Sequence, residues 1–316
     1  MKKYLLLTTI TTIAVIAFAA CNQHENEITP ANSRKEVKFS SNIAQVDNLS
    51  TRATDITWAG NDSIGIYMFE ESVTNVVEEK GNIKYITAAG GTTGLFSPDD
   101  VTIFFPDNGD KVRFMSYYPY TADITNYVYK VDVSDQSEQP AIDLLYSFNT
   151  DAKYDKTTPG KKVPLSFDHK LTKININIKP GNGLEDNDII NTIVTFDGFD
   201  TQAEFDLVSG VLSNPNTPEI ITLLKKDDAV AGYTTSYESI VIPVADPSVA
   251  KIVFNLNNGI SGEGTDSDLF SWNFTDDKLE NGLEYTFNVT INRSGIVVEA
   301  TINEWKEGGS DDINAE

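Results

Sequence analysis

The chain has 316 residues, with 24 Lys and Arg against 47 Asp and Glu, for a formal net charge of -23. This acidic balance excludes nucleic acid and anionic lipid as charge-driven partners, because both require clustered Lys and Arg. A single cysteine excludes an internal disulfide framework and any multi-cysteine metal centre, and two histidines leave little for imidazole chemistry, so no cofactor, no metal and no enzymatic activity are expected.

At the N-terminus, Lys2 and Lys3 precede an apolar run from Tyr4 to Ala20 that only threonines interrupt. A short run with a small-residue end reads as an export signal over residues 1–20 rather than a membrane span. It ends Phe18-Ala19-Ala20-Cys21, with the one cysteine directly after two small residues. This resembles a bacterial lipobox, with Phe18 where Leu is usual. Cys21 is then the lipidated first residue of the mature chain, and palmitate-type acyl chains supply the two signals that stable anchoring needs. The plain alternative is a secretory signal with an incidental cysteine. Asn22 follows Cys21, so nothing points to retention at the inner membrane. Contact with the membrane is expected only through the lipid.

Residues 21–35 are polar, include Pro30 and read as a tether. Beyond them Val37, Phe39, Ser41 and Ile43 alternate with Lys38, Ser40 and Asn42, the pattern of a short half-buried strand. A polar stretch, Asn48 to Thr54, follows and carries Arg52. Such a stretch suits an exposed nick site.

The rest reads as strand after strand. Runs are expected at Ser63–Phe69, Val101–Phe105, Lys111–Tyr118, Tyr127–Val133, Ile142–Phe148, Lys173–Lys179, Ile189–Phe196, Glu219–Leu224, Ser239–Val244, Lys251–Leu256, Leu269–Phe274, Glu284–Ile291 and Gly295–Ile302. Gly, Pro, Asn and Asp separate them, and Asn292-Arg293-Ser294-Gly295 reads as a hairpin turn. Helix is expected as single turns at most, near Asn75–Lys80 or Asp276–Glu280. Many short strands over this length indicate two β-sandwiches. The polar stretch Asp151–Lys162, with Pro159-Gly160, sets the boundary. The domains are therefore expected at 36–160, with 36–52 removable, and at 161–316.

Four passages then carry a family resemblance. Thr51-Arg52-Ala53 is followed by Trp58-Ala59-Gly60-Asn61-Asp62-Ser63-Ile64-Gly65-Ile66-Tyr67-Met68. Phe167-Asp168-His169-Lys170-Leu171-Thr172-Lys173-Ile174 comes next, then Leu279-Glu280-Asn281-Gly282-Leu283-Glu284-Tyr285-Thr286-Phe287, and finally Ile302-Asn303-Glu304-Trp305. With the lipobox and in this order, they resemble the fimbrillin family of Bacteroidetes, the lipoprotein pilins and their relatives. The resemblance implies an all-β chain of two transthyretin-like β-sandwich domains in tandem. It implies a cut by an Arg-specific extracellular protease, here between Arg52 and Ala53, and other fimbrial subunits as partners. Receptors or glycans on host or bacterial surfaces are further partners, and the setting is an outer-membrane lipoprotein that becomes part of a fimbrium at the cell surface.

The physical consequence of such a cut does not depend on the family. Removing the strand of Val37, Phe39 and Ile43 from a sandwich exposes an apolar groove flanked by unpaired backbone groups. A strand from another subunit can fill it, and repetition head to tail makes an open filament. The resemblance implies that a stalk subunit donates an apolar strand from its C-terminus; the tail after Trp305 is polar and makes a poor donor unless Gly295–Ile302 rearranges to serve, so a tip or accessory subunit fits better than a stalk subunit. The competing reading is that Arg52 sits in an ordinary loop and is never cut.

Other features have two readings each. His169 beside Asp168 is either half of a catalytic pair or a structural residue. Trp58, Trp272 and Trp305 are either sugar platforms or plugs of the core. Asp266-Ser267-Asp268 and Glu185-Asp186-Asn187-Asp188 are acidic loops without the spacing of a helix-loop-helix calcium site. Asp62-Ser63-Ile64 resembles a short O-glycosylation sequon. The alternative function is a surface glycan-binding lipoprotein, with Trp272, Tyr117, Tyr118 and Tyr120 lining a sugar platform.

Overall fold

The computed structural model describes residues 34–43, 57–73, 75–148, 153–157, 162–256, 269–274 and 278–305. Cys21, Arg52, Ala53, the run Asp266-Ser267-Asp268 and the tail after Trp305 lie outside the described residues.

The chain is all-β. The first half supplies β1 (Phe39–Ile43), β2 (Ser63–Glu70), β3 (Ile83–Thr87), β4 (Thr93–Gly94), β5 (Phe96–Pro98), β6 (Val112–Tyr118), β7 (Val128–Asp132) and β8 (Leu145–Phe148). After them come β9 (Val163–His169), β10 (Thr172–Pro180), β11 (Ile193–Asp206), β12 (Val211–Thr222), β13 (Leu224–Lys225) and β14 (Thr235–Val241). The last are β15 (Lys251–Asn255), β16 (Leu269–Asn273), β17 (Leu283–Asn292) and β18 (Gly295–Glu304). The α-helices among the described residues are single turns, α1 (Gln139–Ile142) and α2 (Asp186–Ile189).

The first sheet runs β4-β1-β9-β8-β6-β2-β3-β5. Only Leu95 separates β4 from β5, so the two ends of this path meet in the chain and the sheet curls around a core of its own. A second sheet runs β13-β14-β10-β17-β18, and a third runs β12-β11-β15-β16 with β7 added to β11. A larger core lies between them. Phe274, just past β16, meets Phe287 of β17 at 5.5 Å between ring centroids. This core continues onto Tyr67, Phe69, Met115 and Tyr117 of the first sheet.

That continuity explains why β2 shows no alternation, with six consecutive buried residues. Ile64, Ile66 and Met68 face the smaller core, while Tyr67 and Phe69 face the larger one. A strand covered on both faces reads as an unbroken apolar run. β17 and β18 are joined through Arg293 and Ser294, with Asn292 opposite Gly295, the hairpin expected there.

Several expectations shift. Val101–Phe105 is no strand; its Ile103 carbonyl accepts from Val37 N–H at 2.9 Å, and Phe104 makes a single bridge to Glu36. Ile189 belongs to α2, because Glu185 and Asp188 form a capping box that starts a helical turn there. The run Glu185–Asp188 is thus a helix start, and no acidic or histidine cluster of metal-binding geometry occurs among the described residues. The first sheet also extends past residue 160. β9 buries Val163, Leu165 and Phe167 in the smaller core and pairs with β8 at Asp168 and His169. Its alternation is complete, but Pro164 disguises it, since Pro ordinarily argues against a sheet strand.

Candidate functional site

The site begins with β1. Val37, Phe39, Ser41 and Ile43 are buried, whereas Lys38 and Asn42 face solvent, so the period-2 reading of this segment describes its real faces. The strand lies between β4 and β9. It is parallel to β9 from Phe39–Val163 to Ile43–Phe167 and antiparallel to β4 at only two positions. Parallel pairing is slightly weaker per residue than antiparallel pairing. The Phe39 ring meets Tyr85 and Phe114 edge-on, at 5.3 and 5.1 Å.

The neighbours of β1 are shaped for it. Among the described residues, positions 163–167 of β9 pair only with β1. Val163 N–H donates to Lys38 C=O at 2.7 Å. Successive N–H groups of a strand point to opposite sides, so the N–H that Pro164 lacks falls on the side away from β1. On the other flank, a Cβ on Gly94 would stand 2.6 Å from Ser41 Oγ, so glycine there lets the strand approach. Upstream, Phe105 N–H donates to Lys35 C=O at 2.9 Å, and Arg34 forms an ion pair with Glu78.

The chain is fastened again at Trp58. Its backbone exchanges two hydrogen bonds with Gly91, and its ring packs edge-on against Phe96, Phe167 and Tyr118 at 5.0–5.6 Å. The expected cut site, Arg52–Ala53, therefore falls in the connection between two buried anchors, Ile43 and Trp58.

A second cluster joins the first sheet to the end of the chain. The His169 ring stacks on Trp305 at 3.9 Å with 12° between planes. Its Nδ1 lies 2.9 Å from Asp143 Oδ1, and all three residues are buried. The acid that holds His169 is thus Asp143, in the loop after α1, and not the adjacent Asp168; neighbours in a strand point to opposite faces. Nearby, burial lowers the pKa of Lys173 while Glu238, 3.5 Å away, opposes the shift. Asp62 has its pKa raised, chiefly by burial, although Ala59 N–H donates to it at 2.6 Å.

The aromatic residues considered as a sugar platform divide, and Tyr120 is half-buried. Tyr117 and Tyr118 are buried, because β6 is covered on both faces. Trp272 is half-buried against Phe274 and Phe287. Trp58 and Trp305 are core residues.

The fold and this slot define an all-β protein whose own N-terminal strand completes its first sheet. Residues 51–305 match the model of the fimbrillin-like family. A candidate fimbrium subunit, Fim1C, of Bacteroides uniformis is 32% identical over the full length of both chains. The fimbrium subunit Fim1C of Phocaeicola vulgatus is 24% identical, covering 96% of this chain and 97% of its own. Among solved structures, a candidate cell adhesion protein of Bacteroides uniformis superposes with a TM-score of 0.68 at 29% identity, over 86% of this chain and 98% of its own. The chain belongs to the fimbrillin-like family.

Proposed function

We propose that the protein is a subunit of a cell-surface fimbria, delivered to the outer membrane as a lipoprotein through Cys21. A cut between Arg52 and Ala53 frees the segment that carries β1. The emptied slot beside β9 and Gly94 then takes an extended strand from another subunit, and assembly proceeds by donor-strand insertion. A tip or accessory position fits better than the stalk, because the residues after Trp305 are too polar to fill an apolar groove. Two transthyretin-like sandwiches in tandem remain the domain plan we favour, with the boundary moved from residue 160 to the end of β9, since β9 completes the first sheet.

The observation that carries this reading is the position of β1. It is buried inside the sheet, yet among the described residues only two positions of β4 and a parallel register with β9 pair with its backbone. Burial of Val37, Phe39 and Ile43 stabilises it by roughly 1.5–3 kcal/mol per side chain. An uncut chain therefore keeps its slot closed, and a cut chain loses the covalent tie that keeps the strand at high effective concentration. The family match also begins at residue 51, beyond β1 and next to Arg52.

N-terminal sequencing of the protein from the cell surface tests both modifications. A start at Ala53 in assembled material, with acylated Cys21 in the precursor, is the expected result. Fimbriae built from chains that all begin at Cys21 would overturn the cleavage.

A further inference from the structure

A groove of about 460 Å³ has Tyr67 of β2 in its wall, and two loops form its rims, residues 76–82 before β3 and residues 124–127 before β7. That volume falls within the range of small-molecule sites.

Tyr67 is only 5% exposed. A buried phenol ordinarily finds a hydrogen-bond partner. Tyr85 accepts from Ile103 N–H at 3.0 Å, and Tyr146 donates to Leu207 C=O at 2.7 Å. The Tyr67 hydroxyl bonds to none of the described residues, yet it is not sealed from solvent, so it opens where the side chain meets the groove. Packing fixes its position. The Tyr67 ring stacks on Phe69 at 6.0 Å and meets Tyr127 at 5.6 Å, and a Cβ on Gly81 would stand 3.4 Å from it.

The rims are held in an uncommon conformation. Glu79, Asn82, Asn126 and Tyr127 all line the groove, and their φ values are 58°, 53°, 52° and 62°. Asparagine tolerates this left-handed region, whereas glutamate and tyrosine adopt it at a cost. Such residues persist where their surroundings enforce them, and they collect at binding sites. Asn82 supplies part of the enforcement. Its Oδ1 accepts from the Tyr117 hydroxyl at 2.6 Å, and its Nδ2 donates to Thr121 C=O at 2.9 Å, which ties one rim to the segment leading into the other.

The chemistry narrows the class of ligand. An anion would meet Glu79 and no cation in the wall, and a metal ion would find a single carboxylate. An apolar molecule would leave the Tyr67 hydroxyl unmet. A ligand hydroxyl accepts from a phenol or an amide N–H and donates to a carboxylate. The C–H face of a sugar ring suits the half-buried ring of Tyr127 and the apolar Val76 and Ile124 beside it.

We propose that this groove binds a neutral saccharide of one or two rings, with Tyr67, Glu79 and Asn126 taking its hydroxyl groups and Tyr127 carrying its ring face. The wall includes no residue of β1, so binding does not depend on cleavage at Arg52.

Titration of the full chain with D-galactose, D-mannose, N-acetyl-D-glucosamine and lactose, followed by ligand-observed nuclear magnetic resonance, tests it. Saturable binding of at least one sugar is expected. Tyr67→Phe keeps the ring but removes the hydroxyl, and it should weaken that binding about tenfold. Asn126→Gly keeps the left-handed backbone and removes the amide at an exposed position, so it should also weaken binding, and it decides the matter if Tyr67→Phe does not fold. Tyr129→Phe, outside the groove wall, should leave binding unchanged. Saturation by none of the four sugars would overturn the proposal. So would binding that both groove variants leave intact, or saturation by spermidine alone, a cation drawn to Glu79.

Discussion

Consider a chain that begins at Ala53 and so lacks β1. Its loss removes three buried side chains, Val37, Phe39 and Ile43. At roughly 1.5–3 kcal/mol each, their burial supplies about 5–9 kcal/mol. The two edge-on contacts of Phe39 add about 0.5–1.5 kcal/mol each. A whole domain is stable by only about 5–15 kcal/mol. Residues 163–167 of β9 would also lose the one strand they pair with among the described residues. The first sheet of the trimmed chain should therefore either unfold at low urea or bury its open groove by self-association. Urea titration followed by near-ultraviolet circular dichroism reads the first outcome, and light scattering after gel filtration reads the second. A peptide spanning Lys35–Ile43, added in excess, should restore a monomer with a higher midpoint. The reasoning fails if the trimmed chain stays monomeric, unfolds within about 1 kcal/mol of the intact protein and ignores the peptide. In the intact chain, Phe39→Ala should cost about 3–5 kcal/mol, the range for emptying a buried aromatic site.

Three further outcomes are expected. Gly94→Ala places a methyl group 2.6 Å from Ser41 Oγ and from the Phe96 ring. It should cost about 1–3 kcal/mol and speed hydrogen exchange at the amides of β1 before those of β10. His169→Ala removes the 3.9 Å stack on Trp305 and leaves buried Asp143 without its 2.9 Å partner. A loss of about 2–4 kcal/mol in chemical unfolding is expected, of which His169→Phe should recover only the stacking share. In base, Tyr85 and Tyr129 are pushed up to about 12 by burial, and Tyr67, Tyr117, Tyr118 and Tyr146 shift in the same direction. Each phenol ionises first in the unfolded chain, near pH 10, so this stability is whole below about pH 10 and is lost as the pH rises toward 12. Tyrosinate absorbance from these residues should appear together with loss of near-ultraviolet circular dichroism, whereas their ionisation with the fold intact would contradict the burial.

Much of the candidate site is legible in the linear chain because its signals are local. Alternation over 37–43 shows which side chains of β1 turn inward, since side-chain direction in a strand has a period of two wherever the strand sits. The hairpin at Asn292–Gly295 rests on four neighbouring residues. The all-β class follows from many short runs between turn residues, and the family from passages that keep their order along the chain.

Other features depend on which distant strands meet. β9 alternates as clearly as β1, but Pro164 masks it until the structure shows the missing N–H on the side that β1 does not use. Alternation cannot say that β1 runs parallel to a strand more than a hundred residues later, because register between remote segments comes from the packing of side chains that only the folded chain brings together. Tyr117 and Tyr118 look like surface aromatics in sequence, yet β6 lies between two cores and buries both. His169 finds its acid at Asp143, 26 residues earlier, rather than at the next residue. The sequence by itself determined the class, the family and the inward face of the first strand. Tertiary structure alone decided the slot that strand fills and the groove at Tyr67, since both are made from segments that touch only after folding.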